Sequence, residues 1–171
     1  STFAARVAAS TGAELRACVL AGIAAHSGAT LGGGCDRTEY LLRDAKTRED
    51  VRRRLAETER AGARIPGFNL PVYPKGDPRA RHLLQLAHSF ASQNERAQLI
   101  YAFIDEAERR LHLRPSIEVG LVALAAALGL PERSASALWT LGRTAGWIAH
   151  VLEQRLAGFV LRPRAKYVSA G

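Results

Sequence analysis

A few side chains in this sequence are placed where chemistry would need them. Glu118 is the lone acid in an otherwise apolar stretch from Ile117 to Leu128. An acid there is either favoured by the dipole of a helix start or held in a dry setting for proton transfer, and sequence alone leaves both open. Arg143 interrupts the apolar pattern of the last long segment, between Gly142 and Gly146. A buried arginine requires an anionic partner. Arg79 follows Asp77-Pro78, in the first turn of an expected helix. The helix dipole disfavours a cation at that end, so Arg79 is a mild pointer to an anion nearby, with a surface arginine as the alternative. Arginine forks suit carboxylates and phosphates.

Two loops could serve such groups. Arg64 to Ala80 holds four of the seven prolines, at 66, 71, 74 and 78. Prolines fix φ and extend their predecessors, and Gly67 and Gly76 permit positive φ or close approach. The result is a stiff segment, equally suited to a rigid connector or a ligand loop. Leu31-Gly32-Gly33-Gly34-Cys35-Asp36 could offer backbone N–H groups to an anion. It has no Lys-Ser/Thr and no preceding strand, so neither nucleotide fingerprint applies and a flexible turn is the simpler reading.

The elements between these loops read as helices. Expected spans are Ser1–Ser10, Ala13–His26, Asp36–Ala45, a segment capped by Thr47 and running to Ala61, one starting at Asp77-Pro78, Asn94–Leu113, Ile117–Leu128 and Ser134–Ala157. Thr47 with Asp50 has capping-box spacing, and Asp77 with Pro78 supplies an N-cap and an N1 proline. The segment after Thr47 is charged on most faces, as a solvated helix with i,i+4 pairs would be. His82 and His88 lack partner spacing and read as surface or packing residues; His112 reads as a helix C-terminal cap contributor. The expected fold class is all-α.

Composition bounds the rest. The 171 residues suit one domain, or one plus part of another. Lys and Arg number 24 against 16 acids, a balance of +8, supplied almost wholly by arginine. No basic block is interleaved with aromatics, which argues against a nucleic-acid partner. No apolar run reaches the length of a membrane span, and no signal peptide is evident. Cys18 and Cys35 lie in no metal-ligand spacing, so no metal is expected. They read as reduced thiols of the cytoplasm, with a disulfide as the alternative.

Several motifs in order resemble the C-terminal part of the citrate synthase family. Gly67-Phe68 with Pro71 and Tyr73, running into Asp77-Pro78-Arg79-Ala80, resembles the family's Gly-Phe/Tyr-Gly-His loop and its Asp-Pro-Arg sequel. Gly142 to His150 with Glu153-Gln154 resembles its late helix, Leu161-Arg162-Pro163-Arg164-Ala165 with Tyr167 its C-terminal arm, and Ser1 to Arg6 a segment following a catalytic His. The resemblance implies a multi-helical small domain over 1–133 and the last helix and arm of a large domain over 134–171, whose N-terminal part is absent. It also implies a homodimer, or pairing with a missing large-domain portion or homologue. Condensation of an acyl-CoA with oxaloacetate is the implied activity, with acetyl-CoA or another acyl-CoA as substrate and no further cofactor. By position, Arg79, Arg143 and Arg162 match carboxylate-binding arginines, Arg162 reaching into the other subunit. Ile65, Pro66, Gly67 and Phe68 match the loop that meets CoA, with Lys75 as a phosphate contact.

The departures bear on the chemistry. Asn69-Leu70 stands for the family's Gly-His, so Leu70 occupies a catalytic His position. Glu118 stands at the catalytic Asp position, one methylene longer. Leu31-Gly32-Gly33-Gly34 stands for Leu-His-Gly-Gly. The expectation is a citrate-synthase-like protein in which the chain alone is degenerate or incomplete. The alternative is a non-catalytic subunit that binds a carboxylate or CoA, or regulates an intact homologue.

Overall fold

A computed structural model of the chain describes residues 1–28, 32–92 and 94–162. Among them run eight helices: α1 Thr2–Ser10, α2 Leu15–His26, α3 Gly34–Leu41, α4 Arg48–Arg60, α5 Pro78–Ala91, α6 Glu95–Leu111, α7 Ile117–Ala127 and α8 Ser134–Ala157. The fold is all-α, as the periodicity and the family resemblance led one to expect.

Local chemistry sets the boundaries. Thr47 Oγ1 accepts the Asp50 N–H (3.1 Å) while Asp50 Oδ2 accepts the Thr47 N–H (3.0 Å), closing the capping box of α4. Asp77 and Asn94 cap α5 and α6 through their side chains. His112 ends α6 in the left-handed region at φ 52°, and the next N–H, of Leu113, donates to Ala107 O at 3.2 Å. The contribution of His112 is thus one of backbone conformation. The third helix departs from expectation. It begins at Gly34 rather than Asp36 and ends at Leu41 rather than Ala45, so the glycine run forms the helix start itself. The arginines of α4 are paired, but not at the expected i,i+4 spacing: Arg53 meets Asp50 at i,i+3 and Arg52 reaches across to Glu106 of α6, at 2.7 Å each.

The chain divides into two compact units, residues 1–28 with 140–171 and residues 29–139. In the second unit α7, apolar all round beyond Glu118, lies at the centre, packed by α3, α5 and α6, while α4 packs on α6. Phe103, Ile100, Val119, Val122, Leu42 and Leu55 are buried in its core. Gly120 allows α5 to approach: a Cβ there would lie 3.2 Å from the Ala80 Cα.

In the first unit α1 packs on α2, and Trp147 of α8 is fully buried with Ala5, Ala9, Cys18 and Val151. Gly22 makes room for the indole, since a Cβ there would fall 2.9 Å from Trp147 Cδ2. Arg6 secures α1 to α8 by donating to Gln154 Oε1 (3.1 Å) and Glu153 Oε2 (3.1 Å). Compactness therefore groups α1 and α2 with most of α8, whereas the resemblance draws a linear boundary at 133/134. The extended arm expected after Gly158 is described only through Arg162; its remainder lies outside the described residues.

Candidate functional site

The proline loop is stitched to the segment leading into α7. Gly67 O accepts the Ser116 N–H (2.9 Å), Phe68 forms an isolated antiparallel bridge with Pro115, and the Asn69 N–H donates to Arg114 O (2.8 Å). Asn69 Oδ1 in turn accepts the Arg114 N–H at 2.9 Å. Gly67 sits at φ +85°, and a Cβ there would meet Val119 Cβ at 2.9 Å and Thr38 Oγ1 at 3.0 Å. Glycine is therefore required twice over, for conformation and for space. Asn69 sits at φ 52°. Asparagine is a residue that tolerates this region well, so the backbone shape fits the Gly-to-Asn departure. Leu70 follows, half-buried, its carbonyl accepting the Tyr73 N–H (2.9 Å).

Asp77 is the second tie. Its carboxylate, 1% exposed, accepts the Arg79 N–H and Nε (3.0 Å each) at Oδ1, and Arg79 Nη2 (2.9 Å) and the Ile117 N–H (3.0 Å) at Oδ2. One group thus caps α5, clamps the Arg79 fork and fixes the first residue of α7. Burial raises its pKa, but the donors from Arg79 and Ile117 outweigh this and hold it below the ordinary carboxylate value. Arg79 also lies over the Tyr73 ring, 4.9 Å from its centroid. The arginine expected to bind a carboxylate is already paired with one in this structure.

Glu118 follows one residue after Ile117. It is half-buried, the Ser116 hydroxyl donates to its Oε2, and its side chain lies against Gly34. A Cβ at Gly34 would come within 2.7 Å of Glu118 Cγ. The glycine run thus provides space for the acid, a role that its anion-loop reading did not suggest. Cys35 Sγ donates to Glu118 O (3.7 Å), and burial, then the charge of Glu118, pushes this thiol above its usual range. It is a protonated, unreactive packing group.

Two cavities flank the loop. One, of about 350 Å³, is lined by Arg64, Ile65, Phe68, Asn69, Leu111 and Leu113 among others. The other, of about 190 Å³, lies beside Lys75, Gly76, Arg81, Glu108 and Arg114. Ile65, Phe68 and Lys75, expected to bind CoA, thus border cavities, with Pro66 half-buried between the first two.

Arg143 and Arg162 lie in the other unit. Arg143 is half-buried rather than fully buried, and its Nη2 donates to Thr2 Oγ1 at 2.7 Å. Its position in an apolar pattern predicted deeper burial, and an anionic partner; the described partner of its guanidinium is a hydroxyl. Arg162 is exposed. Sequence reasoning found Asp77 as a cap but missed its bond to α7, because the 40-residue separation carries no local signal. Pro115-Ser116 reads in sequence as a chain break; the bond of the Ser116 hydroxyl to Glu118 has only the Ser-x-Glu spacing at a helix start as its signal. Among the described residues, no group of three or more His, Cys, Asp or Glu could hold a metal ion.

This arrangement has known relatives. The family model for the citrate synthase C-terminal domain matches residues 1–164. "Putative citrate synthase 2" of Mycobacterium tuberculosis is 34% identical over all of this chain and 47% of its own length. "Citrate/2-methylcitrate synthase" of Bacillus subtilis is 32% identical over 98% of this chain and 46% of its own. The chain therefore spans about half the length of the curated relatives it matches. Among solved structures, citrate synthase of Thermotoga maritima superposes with a TM-score of 0.82 at 26% identity, covering 99% of this chain and 48% of that one. That of Thermoplasma acidophilum, a ternary complex with carboxymethyl coenzyme A and oxaloacetate, gives 0.83 at 25% identity, covering 99% and 48%. With its motifs, its all-helical fold and a family match over nearly its whole length, the chain belongs to the citrate synthase family.

Proposed function

We propose that this chain is the C-terminal half of a protein of acyl-CoA/oxaloacetate condensation type, and that by itself it binds the substrates' groups without joining them. In this reading residues 1–133 are the family's small domain and 134–171 the end of its large one, in a homodimer or paired with a homologue. The cytoplasm is the compartment, with the two buried free thiols in support.

Glu118 is the proton acceptor: its carboxylate takes a methyl proton from the acyl thioester, leaving an enolate whose oxygen needs a donor. Arg79, Arg143 and Arg162 neutralise the dicarboxylate, and Ile65, Pro66, Gly67 and Phe68 with Lys75 hold CoA. Support comes from the pairing of the loop with the start of α7 and from the bordering cavities. Arg79 must leave Asp77, or share it, when a ligand carboxylate binds.

The observation that carries the negative half is chemical identity. Leu70 and Gly32 stand at two His positions, and neither side chain can donate to an enolate or a ketone oxygen. Removing one such donor costs on the order of 10²–10³ in rate. Two together remove most of what positioning alone leaves.

The test is release of free thiol from acetyl-CoA and oxaloacetate by the 171-residue chain, with calorimetry of each ligand. Saturable binding without turnover is expected; turnover by the chain alone overturns the proposal. Leu70→His with Glu118→Asp, placed in a full-length protein, is expected to raise the rate. A second reading, a subunit that regulates an intact homologue, draws on the same two missing histidines. It predicts a changed rate when the chain is added to an active citrate synthase.

A further inference from the structure

A third cavity lies at the far end of α5 from the proline loop. It measures about 740 Å³, more than either cavity beside the loop and within the range of small-molecule sites. Three elements of the second unit frame it: the start of α4, the last turn of α5 and the first half of α6. Ala91, in its wall, is about 18 Å along α5 from Arg79. The third cavity shares no lining side chain with the other two.

Its floor is apolar and its rim is charged. Ala91 is buried and Leu99 and Tyr101 are half-buried, whereas Lys46, Arg48 and His88 are exposed. The Tyr101 hydroxyl donates to Leu84 O (2.6 Å), which holds the ring in the wall. His88 meets that ring edge-on, with 5.7 Å between centroids. A flat ring added to this pair extends an edge-to-face cluster, the arrangement that aromatic quadrupoles favour.

The cations are unusual in their place. Lys46 and Arg48 flank Thr47 at the N-terminal end of α4, where the helix dipole disfavours positive charge. Further along the same helix Arg52, Arg53 and Arg54 each meet a carboxylate. Among the described residues, no carboxylate lies within ion-pair distance of Lys46 or Arg48. Glu95 is the one acid of the lining, against two cations. The helix starts themselves are already served, since Thr47 Oγ1 accepts the Asp50 N–H and Asn94 Oδ1 the Ala97 N–H. The attraction for an anion therefore resides in the two side chains. A phosphate monoester, close to a dianion at neutral pH, matches two cations, whereas a carboxylate matches one.

We propose that this cavity binds a small phosphate monoester that carries an aromatic ring. The phosphate meets Lys46 and Arg48, and the ring lies against Tyr101 and His88.

The test is NMR of the 171-residue chain titrated with phenyl phosphate, inorganic phosphate and phenol. Saturable binding of phenyl phosphate is expected, at least tenfold tighter than that of either fragment. Amide shifts should concentrate at Lys46 to Arg48, His88 to Ser92 and Glu95 to Tyr101. Lys46→Gln with Arg48→Gln, both exposed, should weaken binding at least 30-fold with unchanged circular dichroism. His88→Ala should lower the preference for phenyl phosphate over inorganic phosphate. Should the double variant misfold, the shift map of the unsubstituted chain still decides. Absence of saturable binding overturns the proposal, and so do shifts centred on the proline loop. Equal affinities for phenyl phosphate and inorganic phosphate overturn it as well, since the ring would then contribute nothing. Binding is read without coenzyme A or oxaloacetate, so this proposal and the proposed function stand or fall separately.

Discussion

Asp77 is a residue whose importance exceeds its local role. Its carboxylate accepts from Arg79 and from the Ile117 N–H, so it fixes two candidate site residues, Arg79 directly and Glu118 through the helix start. Asp77→Ala removes a cap and leaves Arg79 without its carboxylate. A loss of about 2–3 kcal/mol is expected in urea unfolding. Its depressed pKa gives the sign of the pH effect. The stabilisation is complete above the ordinary value of 3.8 and is lost as pH falls through the lower folded value. His26 behaves differently in origin but with the same sign. Burial, then the nearby Arg143 charge, lowers its pKa, so the folded state resists protonation. Stability of its unit should fall as pH drops below 6.5 and be flat above. Trp147, edge-on to His26 at 5.6 Å, reports this by fluorescence, and His26→Gln should remove the dependence. Gly34→Ala should keep the fold and displace the Glu118 carboxylate, since the clash is with a mobile side chain. A crystal structure of the variant, or loss of activity in a competent full-length protein, checks it.

At the scale of elements, the caps and the loop bear different loads. Thr47→Ala breaks a capping box and should cost about 1 kcal/mol, read as a shift in the unfolding midpoint. Asp50, its partner, is held at a pKa of about 2 chiefly by backbone N–H donors of Lys46 and Thr47 and by the Thr47 hydroxyl. The box therefore opens only in strong acid. Gly67→Ala should cost more, about 2–4 kcal/mol, because it combines positive φ with a 2.9 Å contact to Val119 Cβ. Under the proposed function it should also weaken CoA binding, since it separates the loop from the start of α7. Finding both intact would show that the loop is a mere connector.

For the molecule as a whole, the contrast in cores is the governing fact. The unit around α7 has a contiguous core of large side chains, while the unit around Trp147 relies on one indole among small residues. The second should open first. With Trp139→Phe, which leaves Trp147 as the sole indole, the fluorescence midpoint in denaturant is expected below that of α6 and α7 amide protection. Coincident transitions would show that the units unfold as one.

The sequence by itself determined the helices and most of their ends, because caps, prolines and apolar periods are local signals. Thr47 with Asp50, Asp77 with Pro78 and Gly158 each declared a boundary that the structure reproduces. It also determined the family, through motifs in the proline loop, α8 and the arm. The tertiary structure decided what no short window holds. It joined Asp77 to Ile117 and Gly67 to Ser116. It made Gly34 the space for Glu118 and moved Arg143 from expected burial to half-exposure. It grouped α1 and α2 with α8 across more than a hundred residues, through Gly22 and Trp147. The physical reason is common to all of these. Helix formation is settled by dihedral preference and neighbours a turn away, whereas a site is made by packing between segments distant in sequence. That Leu70 and Gly32 carry no hydrogen-bonding side chain is likewise read from the sequence alone, since no fold alters it.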